Sequence, residues 1–177
     1  MAHQKKKMVT AVFRTQVDAE RAFEALQARD YLESEIDVLM SDKTRADWYS
    51  RVRKSAKHQA GNEGVEGMGV GGAVGTAVGA ALGAVAAIGT TLALPGLGLI
   101  VAGPIAAARV GGGAGAMTGG LVGGLIGLGI SKENAEAYQE VLRKGGAAIG
   151  VEPHESADVR KIEKLFKDHN GENIFYS

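Results

Sequence analysis

The sequence predicts an α+β fold, in which a ferredoxin-like split βαβ domain carries an inserted antiparallel glycine-zipper helical hairpin. Two observations predict this architecture. The two ends of the 177-residue chain each show a strand, helix, strand pattern, whereas residues 67–130 contain one charged residue, Arg109. Within that segment, glycine recurs at every fourth position in two separate series. We therefore expect the ends to form one domain, with the glycine-rich segment inserted between its second and third strands.

The first βαβ half of the predicted domain covers residues 1–42. Residues 8–13 are rich in strand-forming side chains, and residues 15–18 have the pattern of a helix-capping box. Apolar residues at helical spacing then predict a helix that ends near residue 29. The alternating pattern of residues 35–41 predicts a half-buried second strand.

The second βαβ half covers residues 146–177 and has the same strand, helix, strand order. Residues 147–151 and 173–176 are the expected strands. Between them, one helical face is marked by four apolar side chains: Val159, Ile162, Leu165 and Phe166. Right-handed crossovers in both halves would place both helices on one face of a four-stranded antiparallel sheet.

The middle segment, residues 67–130, is predicted to be the glycine-zipper hairpin. Its two glycine series mirror each other about Leu97, and residues 95–98 (PGLG) give a turn signal at the mirror centre. The helix-packing positions are Gly67, Gly71, Gly75, Gly79, Gly83, Gly111, Gly115, Gly119, Gly123 and Gly127. Glycine inside a helix costs about 1 kcal/mol relative to alanine, so close helix packing along these faces is expected to offset that cost.

This hairpin could lie in a lipid bilayer or in a protein assembly. Each arm exceeds the ~20 residues that a bilayer crossing requires. The arms are nevertheless mostly small residues, and the most apolar part, residues 92–102, lies at the turn, where a spanning hairpin would emerge into water. A hairpin that dips into one leaflet, or tips buried together in a homo-oligomer, therefore rank ahead of simple spanning.

Residues 43–66 are predicted to be a basic and aromatic linker. The expected membrane-interface residues are Trp48, Tyr49, Arg51, Arg53, Lys54 and Lys57, because aromatic and basic side chains beside an apolar segment are typical of a cytoplasmic membrane interface. Two alternatives remain open for this segment. It is a solvated linker whose Trp48 packs on the soluble domain, or it contacts nucleic-acid phosphates.

Residues 131–145 are predicted to form a helix that returns the chain to the domain. Ser131 begins it as a cap, Glu140 and Lys144 form an i,i+4 pair, and Gly145 ends it.

No catalytic, cofactor-binding or metal-binding residues are predicted. The chain has no cysteine, and its 20 basic and 20 acidic residues leave no net charge to steer it toward a charged partner. Residues 67–72 match GxGxxG by letter only, since no strand precedes them, and the four histidines show no metal-ligand spacing. The sequence therefore favours a non-enzymatic protein without cofactor.

Three runs carry a resemblance to a known family: residues 92–108 with their LPG turn, residues 119–130 ending in GLGI, and residues 133–146 with RKGG before a strand. These runs resemble bacterial general stress proteins, of the heat-induced general stress protein 17M type, over about residues 8–155. The resemblance implies induction under stress in a bacterium, and it implies no catalytic residues.

Taken together, these features predict a non-enzymatic bacterial stress-response protein whose hairpin associates with membrane, with further copies of itself, or both. Membrane lipid and a second copy are the expected partners, nucleic acid is disfavoured, and the expected location is the cytoplasmic side, soluble or at the inner membrane. One alternative is a soluble homo-oligomeric scaffold or shell with a shared hairpin core. The other is a small-ligand-sensing module that uses the open face of the sheet.

Overall fold

The computed structural model describes residues 8–48, 50, 91–94, 99–102, 120–127 and 130–176. The strands are β1 (Val9–Phe13), β2 (Ile36–Ser41), β3 (Thr91–Leu94), β4 (Leu99–Ala102), β5 (Ala147–Val151) and β6 (Glu172–Tyr176). The helices are α1 (Gln16–Gln27), α2 (Gly120–Gly127), α3 (Lys132–Arg143) and α4 (Asp158–Asp168), with a 3-10 turn at Glu33–Glu35. The fold is therefore mixed α+β.

The four strands predicted from the two ends of the chain form a contiguous antiparallel sheet. Their order is β2-β5-β1-β6, and β5 lies between β2 and β1 in direct register. In that register Ile149 lies opposite Ala11 on one side and Val38 on the other. The two halves of the chain thus interleave in one sheet, and the prediction that they form a joined domain is confirmed.

Helices α1 and α4 cover one face of this sheet. Phe13, Phe23 and Phe166 are fully buried there, and the rings of Phe13 and Phe166 meet edge to face with centroids 5.6 Å apart. Edge-to-face packing is a favoured aromatic geometry because it sets the positive ring edge against the negative ring face. Both predicted helices therefore lie on one face, as the sequence indicates.

Helix α3 covers the opposite face, together with the end of α2. Tyr138 and Leu142 of α3 are fully buried in a second cluster, which also contains Val12 and Leu39 of the sheet and Leu125 of α2. Over the described residues, this face of β1, β2 and β5 is consequently closed. The ligand-sensing alternative uses an open sheet face, and within the described residues these three strands do not provide one on this side.

The residues around the predicted hairpin turn are strands, so the prediction of helix at 91–94 and 99–102 is wrong. β3 and β4 pair with each other, and β4 pairs with β2, with Met40 opposite Ile100. Short apolar runs do not distinguish a strand from a buried helix, and the unpaired edge of β2 supplies backbone partners to a strand. The rest of 67–130, apart from α2, lies outside the described residues.

The linker prediction is corrected at its start, because residues 42–48 are helical. Ser41 caps this turn: its Oγ accepts a hydrogen bond from the Thr44 backbone N–H at 3.0 Å and lies 2.7 Å from the Thr44 hydroxyl. Thr44 and Trp48, one turn apart, are both buried. These residues therefore belong to the domain, while residues 51–66 lie outside the described part.

The return helix is confirmed in detail. The Ser131 Oγ accepts from the Asn134 backbone N–H at 3.4 Å, and Lys144 Nζ lies 2.6 Å from Glu140 Oε1. Gly145 follows the helix with φ of +97°, a conformation that favours glycine at a helix end.

Candidate functional site

The predicted helix-packing glycines fall mostly outside the described residues. Gly67, Gly71, Gly75, Gly79, Gly83, Gly111, Gly115 and Gly119 are not described. Gly123 and Gly127 lie in α2, which is helical as predicted. Close packing between two glycine faces therefore stays a prediction.

Helix α2 is attached to the domain through its apolar side chains. Leu125 is fully buried and Val122 half-buried in the cluster shared with α3, and the Ile130 backbone N–H donates to the Leu125 carbonyl at 3.1 Å. Ile126 remains 44% exposed. The last helical turns of the glycine-rich segment are thus fixed on the sheet face that α3 covers.

Trp48 does not lie at a lipid interface in this structure. Its side chain is 4% exposed and belongs to the buried cluster beneath α1 and α4. This corrects the assignment of Trp48 as a membrane-interface residue, and it matches the alternative in which Trp48 packs on the domain. Tyr49, Arg51, Arg53, Lys54 and Lys57, the other predicted interface residues, lie outside the described part.

A cavity of about 210 Å³, open on one side, lies between the end of α1 and the start of α4. It is lined by Arg29, Tyr31, His154, Asp158, Lys161 and Ile162. Arg29 and Tyr31 follow α1, His154 is in the loop after β5, and the remaining three belong to α4. We call this cavity the α1–α4 pocket.

Two stacked rings form one wall of the α1–α4 pocket. The Tyr31 and His154 rings lie with centroids 4.3 Å apart and 29° between their planes. His154 Nε2 lies 3.1 Å from Glu35 Oε1, and the His154 backbone N–H donates to the Tyr31 hydroxyl at 3.4 Å. Tyr31 is 5% exposed, and its burial raises the pKa of its hydroxyl. The imidazole is therefore held against a buried ring on one face.

Charged groups form another part of the lining. Lys161 Nζ lies 2.8 Å from Asp158 Oδ1, and the hydrogen bond from Lys161 lowers the pKa of Asp158. The same contact raises the pKa of Lys161, which the positive charge of Arg29 opposes. The Arg29 guanidinium forms no hydrogen bond or ion pair among the described residues, although its positive charge helps to lower the pKa of Asp168. The lining of the pocket therefore contains two cations and one carboxylate, and the Arg29 guanidinium is left without a hydrogen-bonded partner among the described residues.

The sequence did not predict the α1–α4 pocket. Its aromatic pair joins residues 123 positions apart, and no local spacing links Tyr31 to His154. The only local signal was the short segment Pro153-His154-Glu155, which is typical of a turn before a helix.

The described residues show neither a metal-binding cluster nor a membrane-spanning helix. No group of three or more metal-ligating side chains occurs in that part of the chain. No described helix combines the length and apolar character needed to cross a bilayer.

Comparisons of the chain with family models, with curated proteins and with solved structures return no match. The resemblance to bacterial general stress proteins consequently stays a prediction from the three sequence runs that carry it.

Proposed function

We propose that this chain is a non-enzymatic bacterial stress-response protein that acts by association through its glycine-rich segment. The segment, residues 67–130, packs against further copies of the chain, associates with membrane, or does both. The α+β domain serves as the carrier, and we propose that it has the ferredoxin-like plan. The strand order β2-β5-β1-β6 with two helices on one face supports that plan.

The observation that carries the proposal is the way in which α2 joins the domain. Leu125 anchors α2 beside α3, while glycines at 120, 123, 124 and 127 leave much of this helix without side chains. Close helix approach is the established use of such small-residue faces. The domain thus holds the end of the glycine series in fixed orientation, and this arrangement supports packing by the rest of the series.

The buried position of Trp48 favours assembly between copies over membrane attachment. A tryptophan that packs in the domain core provides no interfacial anchor. The soluble homo-oligomeric scaffold is therefore the second candidate, and it differs from the first in requiring no lipid.

Two experiments test this proposal. The first is flotation of the untagged protein from a native lysate through a density gradient without detergent. Rising with lipid and resisting a carbonate wash would support membrane association, whereas remaining dense or soluble would restrict the proposal to assembly between copies.

The second experiment measures oligomer mass by light scattering after chromatography for Gly75→Leu and Gly119→Leu. Leucine at these positions prevents close helix approach, so both variants should lose the assembly formed by the wild type. Ala46→Leu is the matched control, because it adds the same side chain at an exposed helical position. Unchanged mass in all three variants would contradict glycine packing.

A further inference from the structure

We propose that the α1–α4 pocket binds a small organic anion whose planar ring stacks on His154 and whose anionic group contacts Arg29. This site is independent of the glycine-rich segment and of the association proposed for it. It is also separate from the sheet face that α3 covers.

The uncommitted guanidinium of Arg29 is the first observation behind the proposal. Lys161 is engaged with Asp158 at 2.8 Å, whereas the guanidinium of Arg29 has no hydrogen-bonded or ion-paired partner among the described residues. The charges of Arg29 and Lys161 repel each other at the cavity, and Asp158 is the one carboxylate among its lining residues. Glu155 and Asp168, outside the lining, attract Lys161 and Arg29 respectively, without forming an ion pair with either among the described residues. An entering carboxylate or phosphate would relieve that repulsion and accept a bidentate pair from the guanidinium.

A second carboxylate, that of Glu35, contacts the imidazole of the stack. Its carboxylate lies beside the imidazole of His154, with both oxygens within 3.2 Å of Nε2. Glu35 is not among the residues that line the cavity. Its contact instead fixes the plane of the imidazole ring.

The fixed imidazole is the second observation. Tyr31 covers one face of the ring, yet the His154 side chain is 45% exposed, so the other face remains accessible. A planar group stacked on that face would extend the Tyr31–His154 stack by one layer. Stacking on a protein aromatic ring requires only that the ligand present a planar face, and it contributes measurably to the affinity for planar ligands.

The size of the cavity sets the class of ligand. A cavity of about 150 Å³ in another protein admits a benzene ring. The α1–α4 pocket, at about 210 Å³, has room for one six-membered ring together with its anionic group. Inorganic phosphate alone would contact the cations and leave the imidazole face uncovered.

The test is isothermal titration calorimetry of the full chain with three probes: phenyl phosphate, benzoate and inorganic phosphate. Phenyl phosphate or benzoate should bind more tightly than inorganic phosphate, and the tighter of the two identifies the anionic group that the pocket prefers. Arg29→Gln should weaken that probe about tenfold, as expected for loss of a charged hydrogen bond. Arg21→Gln is the matched control, since it removes the same charge from an exposed position on α1.

His154→Ala separates stacking from charge attraction. It should weaken the ring-bearing probe by at least about fivefold and leave inorganic phosphate unchanged. Thermal unfolding of each variant verifies that the fold is retained. The proposal is overturned if no probe saturates, if Arg21→Gln and Arg29→Gln weaken binding equally, or if His154→Ala has no effect on the ring-bearing probe.

Discussion

Replacing Tyr138 with phenylalanine tests how α3 is held on the sheet. The Tyr138 hydroxyl lies 3.0 Å from both the Thr10 hydroxyl and the Asn173 carbonyl oxygen. A phenol has one proton, and a carbonyl only accepts, so Tyr138 donates to Asn173 and accepts from Thr10. Two contacts on two strands therefore depend on one oxygen atom of α3.

The contact with Asn173 compensates for an irregularity in β6. The register between β1 and β6 shifts after Thr10, and Asn173 adopts a positive φ of +48° there. A bulge leaves backbone groups outside the strand ladder, and the Tyr138 hydroxyl satisfies one of them. Removing the Tyr138 hydroxyl therefore leaves the Asn173 carbonyl without its hydrogen-bond donor.

The expected loss in the free energy of unfolding is about 1–2 kcal/mol for Tyr138→Phe, the lower part of the range for unsatisfied polar groups, because Asn173 is exposed. This corresponds to a fall in melting temperature of roughly 2–8 °C for a chain of this size. Thr10→Val should cost less, because Tyr138 keeps its bond to Asn173. Urea unfolding followed by the fluorescence of Trp48, the only tryptophan, measures both.

The pH dependence of the same variant gives an independent measurement. Burial raises the pKa of Tyr138 above its ordinary value of 10.0. Because the pKa of Tyr138 is higher in the folded than in the unfolded protein, the contribution of the neutral Tyr138 side chain to folding stability is complete below pH 10. That contribution declines as the pH rises further. Wild-type stability should therefore fall more steeply above pH 10 than that of Tyr138→Phe. A Tyr138→Phe variant as stable as the wild type, or less stable by no more than Thr10→Val, would refute the reasoning.

Three further substitutions have defined outcomes in the same unfolding assay. Gly146→Ala should lower the free energy of unfolding by at least about 2 kcal/mol, because the new Cβ would lie 2.4 Å from the Phe13 carbonyl oxygen. Gly145→Ala should lower it by about 1–2 kcal/mol, since alanine disfavours φ of +97°; retention of full stability would contradict this. Glu33→Gln should raise it by up to about 0.5 kcal/mol at pH 7, because burial raises the pKa of Glu33 and its Oε1 has no partner among the described residues. That gain should shrink as the pH falls and the wild-type carboxyl becomes protonated.

The sequence predicted the parts of the fold whose signals are local. The capping pattern at Thr15 is confirmed by its hydrogen bond from the Asp18 backbone N–H at 3.1 Å, and strand β5 has the predicted bounds. The pattern at Ser131 likewise identified the start of α3. These signals were reliable because each cap or strand depends on residues within a few positions of one another.

The features that the sequence did not predict depend on distant partners. β3 and β4 become strands because the edge of β2 is available to them, and no periodicity within 91–102 indicates that edge. The position of α3 on the second face, and the stacking of Tyr31 on His154, likewise follow from the assembled sheet. The site could not be predicted because its residues come from both halves of the chain.

The pairing of β2 with β5 has a consequence for folding kinetics. Met40 lies opposite Ala147, so this central ladder closes a chain loop of roughly a hundred residues. The entropic free-energy cost of closing this loop exceeds that of a ten-residue connection by only about 2 kcal/mol. Doubling the length of the loop would raise the cost by about 0.6 kcal/mol. Long-range pairing slows folding far more than it lowers equilibrium stability. We therefore expect the β2–β5 ladder to form late, and we expect changes in chain length to be tolerated best between β4 and α2, outside the parts of the insertion that pair with β2 or pack against α3.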